Sequence, residues 1–336
     1  MIGMYIIIFF VLLALELIYF KVADKFNIID KPNERSSHST IVLRGGGVLF
    51  LFSMYAWAVL MMVQGQDISA YLPFLCGLLL IAGVSFIDDV HSLPDSVRLV
   101  AQFVAMVLMF WSMGILSRSI WWIVPIALIV CVGATNIINF MDGINGITAG
   151  YALAILIPLL LLNKEYGFID DSYIVVTILG VLVFSIFNFR PKGKAKCFAG
   201  DVGSIGIAFI ILFAAGRLIV QTGDITYFIL MLLYGVDGVL TICHRIMLHE
   251  NLGEAHRKHV YQLMSNELKI GHVKVSLLYM ILQLAVSLGF IYLIPNTIVA
   301  HWIYLICMCV VFALVYILLK MKYYYLHEEY LASLRR

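Results

Sequence analysis

Between Asn136 and Thr148 the sequence reads NIINFMDGINGIT, a polar, glycine-punctuated stretch set between apolar runs that precede it from Ile120 and follow it from Ala149. Asn136, Asn139, Asp142 and Asn145 recur every three residues, within about one face of a helical or 3₁₀ turn. Gly143 and Gly146 let the backbone bend sharply or approach a ligand closely. Carboxamides and a carboxylate at a bilayer boundary must face water, protein or a ligand, so the array suggests a binding mouth. A helix cap followed by a turn is the plainer alternative.

Four further stretches concentrate chemistry-bearing side chains. DKPNERSSHSTIVLRGGG, from Asp30 to Gly47, offers donors at Arg35, His38 and Arg44, and its glycines open the next apolar run, where backbone amides can approach phosphate. Asp88 and Asp89 end another run, followed by His91, Asp95 and Arg98. Vicinal carboxylates repel unless a cation or proton donor sits between them, which fits magnesium or phosphate handling, or a capping pair at a solvated turn. RPKGKAKCFAGDVGS, from Arg190 to Ser204, carries four basic residues suited to anionic headgroups. It then holds Asp201 between Gly200 and Gly203 at a helix start, where the carboxylate can offer a hard oxygen to Mg²⁺ while free amides meet phosphate oxygens. HENLGEAHRKHVYQLM, from His249 to Met264, places His256 and His259 three apart around Arg257 and Lys258, on one face if helical. No HExxH or Cys pattern completes a zinc site, and imidazole with guanidinium suits a diphosphate better.

The elements that position these groups are membrane spans. Of 336 residues, 63% are hydrophobic and 12% charged, well beyond the roughly half apolar content of a globular domain. The chain is therefore expected to be an all-α polytopic membrane protein forming a single integral membrane domain over residues 1–336. The run from Ile2 to Phe20, interrupted by Glu16, lacks a basic start and a small-residue cleavage site, so it reads as a retained helix. Eleven spans near the length of a bilayer core follow one another: about 2–20, 47–63, 70–87, 98–116, 120–137, 149–162, 173–189, 204–220, 225–244, 275–294 and 301–319. Cys76, Cys131, Cys307 and Cys309 lie within apolar runs, and Cys197 and Cys243 near loops without metal-ligand spacing, so no disulfide framework is expected.

Connections alternate between short and long. All but three of the 22 Lys and Arg fall in the long set or the C-terminal tail, the exceptions being Arg118, Lys164 and Arg217. By the positive-inside bias the long loops, about 21–46, 88–97, 138–148, 190–203 and 245–274, are cytosolic, with the N-terminus outside and the C-terminus inside. Every concentrated polar feature then lies on one side. A secondary transporter is expected to place ionisable groups near the midplane, where only Glu16 and, off-centre, Asp237 occur.

Together, in this order, DKPNERSSH with RGGG, the Asp88–Asp89 pair, NIINFMDGINGIT, FAGDVGS and the His256–His259 loop resemble the polyprenyl-phosphate N-acetylhexosamine-1-phosphate transferase family, over nearly the whole chain. The resemblance implies transfer of a sugar-1-phosphate from a UDP-N-acetylhexosamine to undecaprenyl phosphate, with release of UMP, in a bacterial inner membrane with the active site facing the cytosol. It implies Mg²⁺ as cofactor, Mn²⁺ being a substitute. Carried over residue by residue, Asp201 matches the metal ligand, and Asp88 and Asp89 the pair that serves the lipid phosphate. Asn139 and Asp142 match residues near the nucleotide and metal, with Arg44 and Arg98 as further substrate contacts. His256, Arg257 and His259 match the loop holding diphosphate and sugar, and Asp237 matches a recurrent Asp without an assigned step.

Leu43 stands where the family often has proline. The RSSH and AHRKH wording is similar to the branch that initiates O-antigen or capsule rather than to the muramyl-pentapeptide branch. The partners implied are the two substrates and membrane lipids, with no nucleic acid, and a homodimer is open as an assembly. A groove for the prenyl chain is expected beside the helix end at Asp88. A transporter or lipid flippase is the competing reading that helix count alone permits, and UMP release separates the two.

Overall fold

The computed structural model describes residues 1–30, 41–116, 121–251 and 256–334. Arg35 and His38, Arg118, and residues 252–255 of the long loop lie outside the described residues. The described chain is almost entirely helical, in the order α1 (Ile2–Lys25), β1 (Ile29–Asp30), β2 (Val42–Leu43), α2 (Val48–Val63), α3 (Leu72–Val90), α4 (Asp95–Ser112), α5 (Val124–Phe140), α6 (Ile147–Tyr166), α7 (Asp171–Asn188), α8 (Gly200–Thr222), α9 (Leu232–Met247), α10 (Val260–Gln262), α11 (His272–Leu293) and α12 (Ile298–Leu334). A seven-residue 3₁₀ segment, Ile225–Met231, leads into α9, and a π turn, Leu263–Glu267, follows α10.

Nine of the described helices are long and apolar enough to cross a bilayer, counting the 3₁₀ lead-ins as part of their helices, and α2 and α5 are shorter apolar helices. These eleven coincide with the eleven apolar runs, because a chain in hydrocarbon must satisfy its backbone internally and helices do so segment by segment. At 16 residues α2 is about 24 Å long, short of a roughly 30 Å core, and it begins directly from the Gly45–Gly47 turn.

The bundle is organised around α8. Of its most apolar window 83% is buried, against 6% for α12, so α8 is the core helix and α12 a peripheral one. It packs on α2, α3, α5 and α6. At its N-terminus the close pass against α2 requires glycine on both sides: a Cβ on Gly203 would lie 2.5 Å from the Gly47 Cα, and one on Gly47 would meet the Gly203 backbone.

Hydrogen bonds tie the connections together at each end of the bundle. At one end Gly46 N donates to Phe198 O (2.9 Å), Gly47 N to Ala199 O (3.0 Å) and Phe198 N to Leu43 O (2.8 Å), so the strand after the first long loop runs beside residues 197–199. Asn145 Nδ2 donates to the carbonyls of Arg190 and Pro191 (2.9 and 3.0 Å), and Tyr261 Oη to Phe140 O (3.0 Å), bringing two more loops to that end. At the other end Asp224 meets His301 (2.6 Å) and Asn296 meets Tyr166 (2.8 Å).

Candidate active site

α3 delivers two adjacent carboxylates to the polar end, and their environments differ. Asp89 has a fully buried side chain. Its Oδ1 accepts from Asp201 N (2.9 Å) and from Arg44 Nε (2.8 Å), and its Oδ2 accepts from Val202 N (3.0 Å). It therefore occupies the N-terminus of α8, a carboxylate on unpaired amides at the positive end of a helix dipole. Gly200 makes this possible: it adopts φ +70°, and a Cβ there would lie 2.5 Å from Asp89 Oδ2. This corrects the expectation that the first amides of α8 are free to meet phosphate, because an internal carboxylate already fills them. Asp89 is a cap, but for a helix 112 residues further along the chain.

Asp88 instead accepts from Leu93 N at Oδ1 (2.6 Å) and from Arg98 Nη1 at Oδ2 (2.8 Å). Arg98 is held by Asp95 on its own helix and turns Nη1 toward Asp201 Oδ2 at 3.5 Å. Arg44 places Nη2 3.8 Å from Asp201 Oδ1. Asp88, Asp89 and Asp201 thus converge, with two guanidinium groups as counter-charge. The accessible members are Arg44, Arg98 and Asp201, with side chains 35%, 32% and 17% exposed.

The NIINFMDGINGIT stretch does not present one polar face. Asn136 exchanges hydrogen bonds with Gln102 of α4 (2.8 and 3.3 Å), and Asn145 is used on the Arg190–Pro191 backbone. α5 ends at Phe140, so the three-residue repeat loses its helical register just where the turn begins. Only the middle pair reaches the site. Asn139 Oδ1 accepts from Ser204 Oγ on α8 (2.6 Å), and Asp142 Oδ1 accepts from Thr148 Oγ1 (2.6 Å). Burial raises the Asp142 carboxyl to about 6, with Asp201 adding to the rise and the Thr148 hydroxyl and Arg44 opposing it. Asp142 is therefore within electrostatic reach of the Asp201–Arg44 pair.

The last long loop closes the site from α9. His256 and His259 do not lie on one helix: residues 256–258 form no regular secondary structure, and His259 is the extended N-cap of α10, with its ring 5.0 Å from that of His256. His259 Nδ1 meets Asp237 Oδ1 (3.3 Å), which also accepts from Val260 N (3.1 Å), while Asp237 Oδ2 accepts from Tyr279 Oη (2.7 Å). Asp237 is thus the buried anchor of this loop. Nε2 of His259 is buried with no partner among the described residues. His256 rests edge-on against Phe140 at the end of α5. Burial, then the neighbouring His259, Arg245, Lys258 and Lys320, pushes its imidazole down to about 3, so it is neutral at pH 7. Arg257 points elsewhere, pairing with Glu267 (3.2 Å) and stacking over Tyr330 (4.3 Å).

Two residues of this end had no role assigned from the sequence. Asn188, at the end of α7, accepts from Gly146 N (2.8 Å) and donates to Cys197 O (2.9 Å), joining two loops. Glu16 is fully buried beneath Gly46, with Oε1 3.6 Å from Cys197 Sγ and Oε2 without a partner among the described residues. An isolated polar residue in an apolar run was its only mark.

The donor set fits a divalent cation completed by substrate. Among the described residues no three His, Cys, Asp or Glu side chains form a ready-made cage. Asp201, however, meets its guanidinium neighbours only at 3.5 and 3.8 Å, longer than the 2.7–2.9 Å of a full charge-assisted bond, so its oxygens retain coordinating capacity. Mg²⁺ binds through one or two carboxylates plus phosphate oxygens and water. An apolar groove of about 610 Å³ runs between α5, α9 and α12, reaching Ile137 and Ile138 one turn from Asn139. No residue of α3 lines it, so this groove is not the one expected beside Asp88.

Residues 71–219, which include Asp88, Asp89, Asn139, Asp142 and Asp201, match the profile of glycosyl transferase family 4. Over those residues the chain is similar to that family. A probable undecaprenyl-phosphate N-acetylglucosaminyl 1-phosphate transferase of Bacillus subtilis (strain 168) is 25% identical over 259 residues, 72% of this chain and 70% of the relative. The undecaprenyl-phosphate alpha-N-acetylglucosaminyl 1-phosphate transferase of Yersinia pestis is 26% identical over 61% of this chain and 59% of its own length. A phospho-N-acetylmuramoyl-pentapeptide-transferase of Thermotoga neapolitana is 40% identical, but over 26% of this chain and 27% of its own length. The chain is thus a distant homologue of undecaprenyl-phosphate N-acetylglucosaminyl 1-phosphate transferases.

Proposed function

We propose that the protein transfers an N-acetylhexosamine-1-phosphate from a UDP-sugar to undecaprenyl phosphate, releasing UMP and forming the lipid-linked diphosphate sugar that starts a cell-surface polysaccharide such as O-antigen or capsule. The observation that carries this reading is the convergence of Asp88, Asp89 and Asp201 with Arg44 and Arg98 at the polar end of a membrane bundle. The excess of Lys and Arg in the loops of that end supports a cytosolic orientation in the inner membrane, with the N-terminus outside and the C-terminus inside.

The chemistry brings two anions together: an oxygen of the lipid phosphate attacks the β-phosphorus, a new phosphoanhydride forms, and the bond from that phosphorus to the bridging oxygen breaks as UMP leaves. Repulsion between the reacting phosphates is the physical obstacle. Arg44 and Arg98 offset it and orient phosphate oxygens, each already fixed by a carboxylate. Asp88, next to Arg98, orients the acceptor phosphate, while Asp89 acts through the α8 terminus and Arg44 that it holds. Asp201, with Asp142 within electrostatic reach, would hold Mg²⁺, which would supply charge neutralisation at the diphosphate. The neutral imidazole of His256 and the unpartnered Nε2 of His259 offer hydrogen bonds to the diphosphate or sugar. The α5–α9–α12 groove fits the prenyl chain, since every lining residue except Tyr234 is apolar or glycine and it lies alongside Asn139.

Purified protein given undecaprenyl phosphate, Mg²⁺ and a panel of UDP-N-acetylhexosamines should release UMP and yield a lipid product identifiable by mass. Asp201→Asn should abolish release even at saturating Mg²⁺. Wild-type protein that moves lipid or sugar across vesicles with no UMP formed would replace the transferase by a transporter.

A further inference from the structure

α12 presents a puzzle of economy. Its membrane part is the least enclosed of the candidate spans, 6% buried, yet the helix continues without a break to Leu334. Besides the His301–Asp224 and Tyr304–Val286 contacts near its start, its specific contacts form one stripe at the polar end. Tyr316 Oη hydrogen-bonds Thr241 Oγ1 (3.0 Å) on α9. One turn on, Lys320 donates to the carbonyl oxygen of Lys258. Tyr324 sits edge-on to His244 (ring centroids 4.8 Å apart) and under the Lys258 ammonium (6.0 Å). His327 Nδ1 meets Glu267 Oε1 (3.2 Å), the same oxygen that accepts from Arg257, and the Tyr330 ring lies beneath the Arg257 guanidinium. The spacing 316, 320, 324, 327, 330 is that of one helix face. Tyr316, Lys320 and His327 on this stripe are buried, while the intervening Leu318, Met321 and Tyr325 are exposed. Each partner lies on α9 or in the 256–267 segment.

We propose that this stripe is a strut: the polar-end extension of α12 fixes the His256–His259 loop against α9, with Lys320, His327 and Tyr330 as positioning residues for the transfer reaction. Arg257 is then a positioning residue too, since its guanidinium is used on Glu267 and Tyr330 rather than turned toward the acid cluster. The inference rests on the transferase reading for what the loop does, but not for what holds the loop in place.

The test separates the two. In detergent-solubilised full-length protein, trypsin cleavage after Arg257 and Lys258 should be slow, and the His327→Ala, Tyr330→Ala double variant should be cut about tenfold faster, with its thermal midpoint close to that of wild type. In the UMP-release assay the same variant should show a KM for the UDP-sugar raised about tenfold, with the KM for undecaprenyl phosphate little changed. Tyr330→Phe keeps the ring under Arg257 and should restore both readouts. If the double variant unfolds, Lys320→Met, which removes the donor to Lys258 O, gives the same comparison. Wild-type cleavage rates and KM in these variants would overturn the strut. A wild-type protein that releases no UMP would overturn the transferase reading, while faster cleavage of the variants would still support the strut.

Discussion

Asp89 spends its carboxylate on two backbone amides and Arg44, so its replacement is felt by the fold before the chemistry. Asp89→Asn leaves one α8 amide and part of the Arg44 charge uncompensated, and should lower stability by about 1–2 kcal/mol, seen as a lower thermal midpoint in detergent. Asp88→Asn, which keeps an oxygen for Leu93 N and loses only part of its pairing with the half-buried Arg98, should lower the midpoint less than Asp89→Asn while removing UMP release. Equal midpoints for the two variants would sink this division of labour. The histidines add a pH signature. His256 stays neutral in the fold down to about pH 3, whereas in the unfolded chain it takes a proton near 6.5. Its contribution to stability is therefore complete above about 6.5 and is lost as pH falls from there toward 3. His256→Asn should show a shallower acid-side fall of the midpoint between pH 6.5 and 4 than wild type. Asp142, raised to about 6, works in the opposite sense, so the comparison must be made on the His256 variant alone. That Asp88, Asp89, Asn139, Asp142 and Asp201 sit together was legible in the sequence, because carboxylates at helix ends in lipid need partners. Which carboxylate caps and which stays accessible was not, since the amides that claim Asp89 lie 112 residues away.

At the scale of elements, the crossing of α2 and α8 at Gly47 and Gly203 sets the distance from Arg44 to Asp201. Gly203→Ala would put its Cβ 2.5 Å from backbone that cannot rotate away, so the helices must separate. A loss of about 1–3 kcal/mol is expected, with Arg44 drawn back from Asp201 and turnover falling with it. Ser53→Ala, on the crossing partner α2, whose hydroxyl donates within its own turn to Phe50 O, serves as the control that should change neither. Spans were readable from hydropathy because their length is imposed by the bilayer. The end of α12 was not: hydropathy drops at Lys320, but the tail keeps good helix formers and its stripe, so the helix runs on to Leu334. The histidine loop misled for the converse reason, since its three-residue spacing suited a helix, whereas Asp237 pins His259 and Val260 at the start of α10 and His256 lies in the irregular segment before it.

For the molecule as a whole, the orientation inferred from Lys and Arg makes a simple prediction. In a cysteine-free background, Gln66→Cys should react with a membrane-impermeant thiol reagent added outside intact cells, and Lys194→Cys only after permeabilisation; the reverse pattern would turn the active site outward. The hydrogen-bonded seam between residues 43–47 and 197–199 has a consequence for biosynthesis. Arg44 and Asp89 emerge early from the ribosome, but the amides and the carboxylate they await arrive only when the eighth transmembrane segment is threaded. A nascent chain halted before that point would lack the assembled acid–arginine cluster. On the proposed transferase reading, turnover would then begin only late in membrane insertion, and a chain stalled halfway would be inactive.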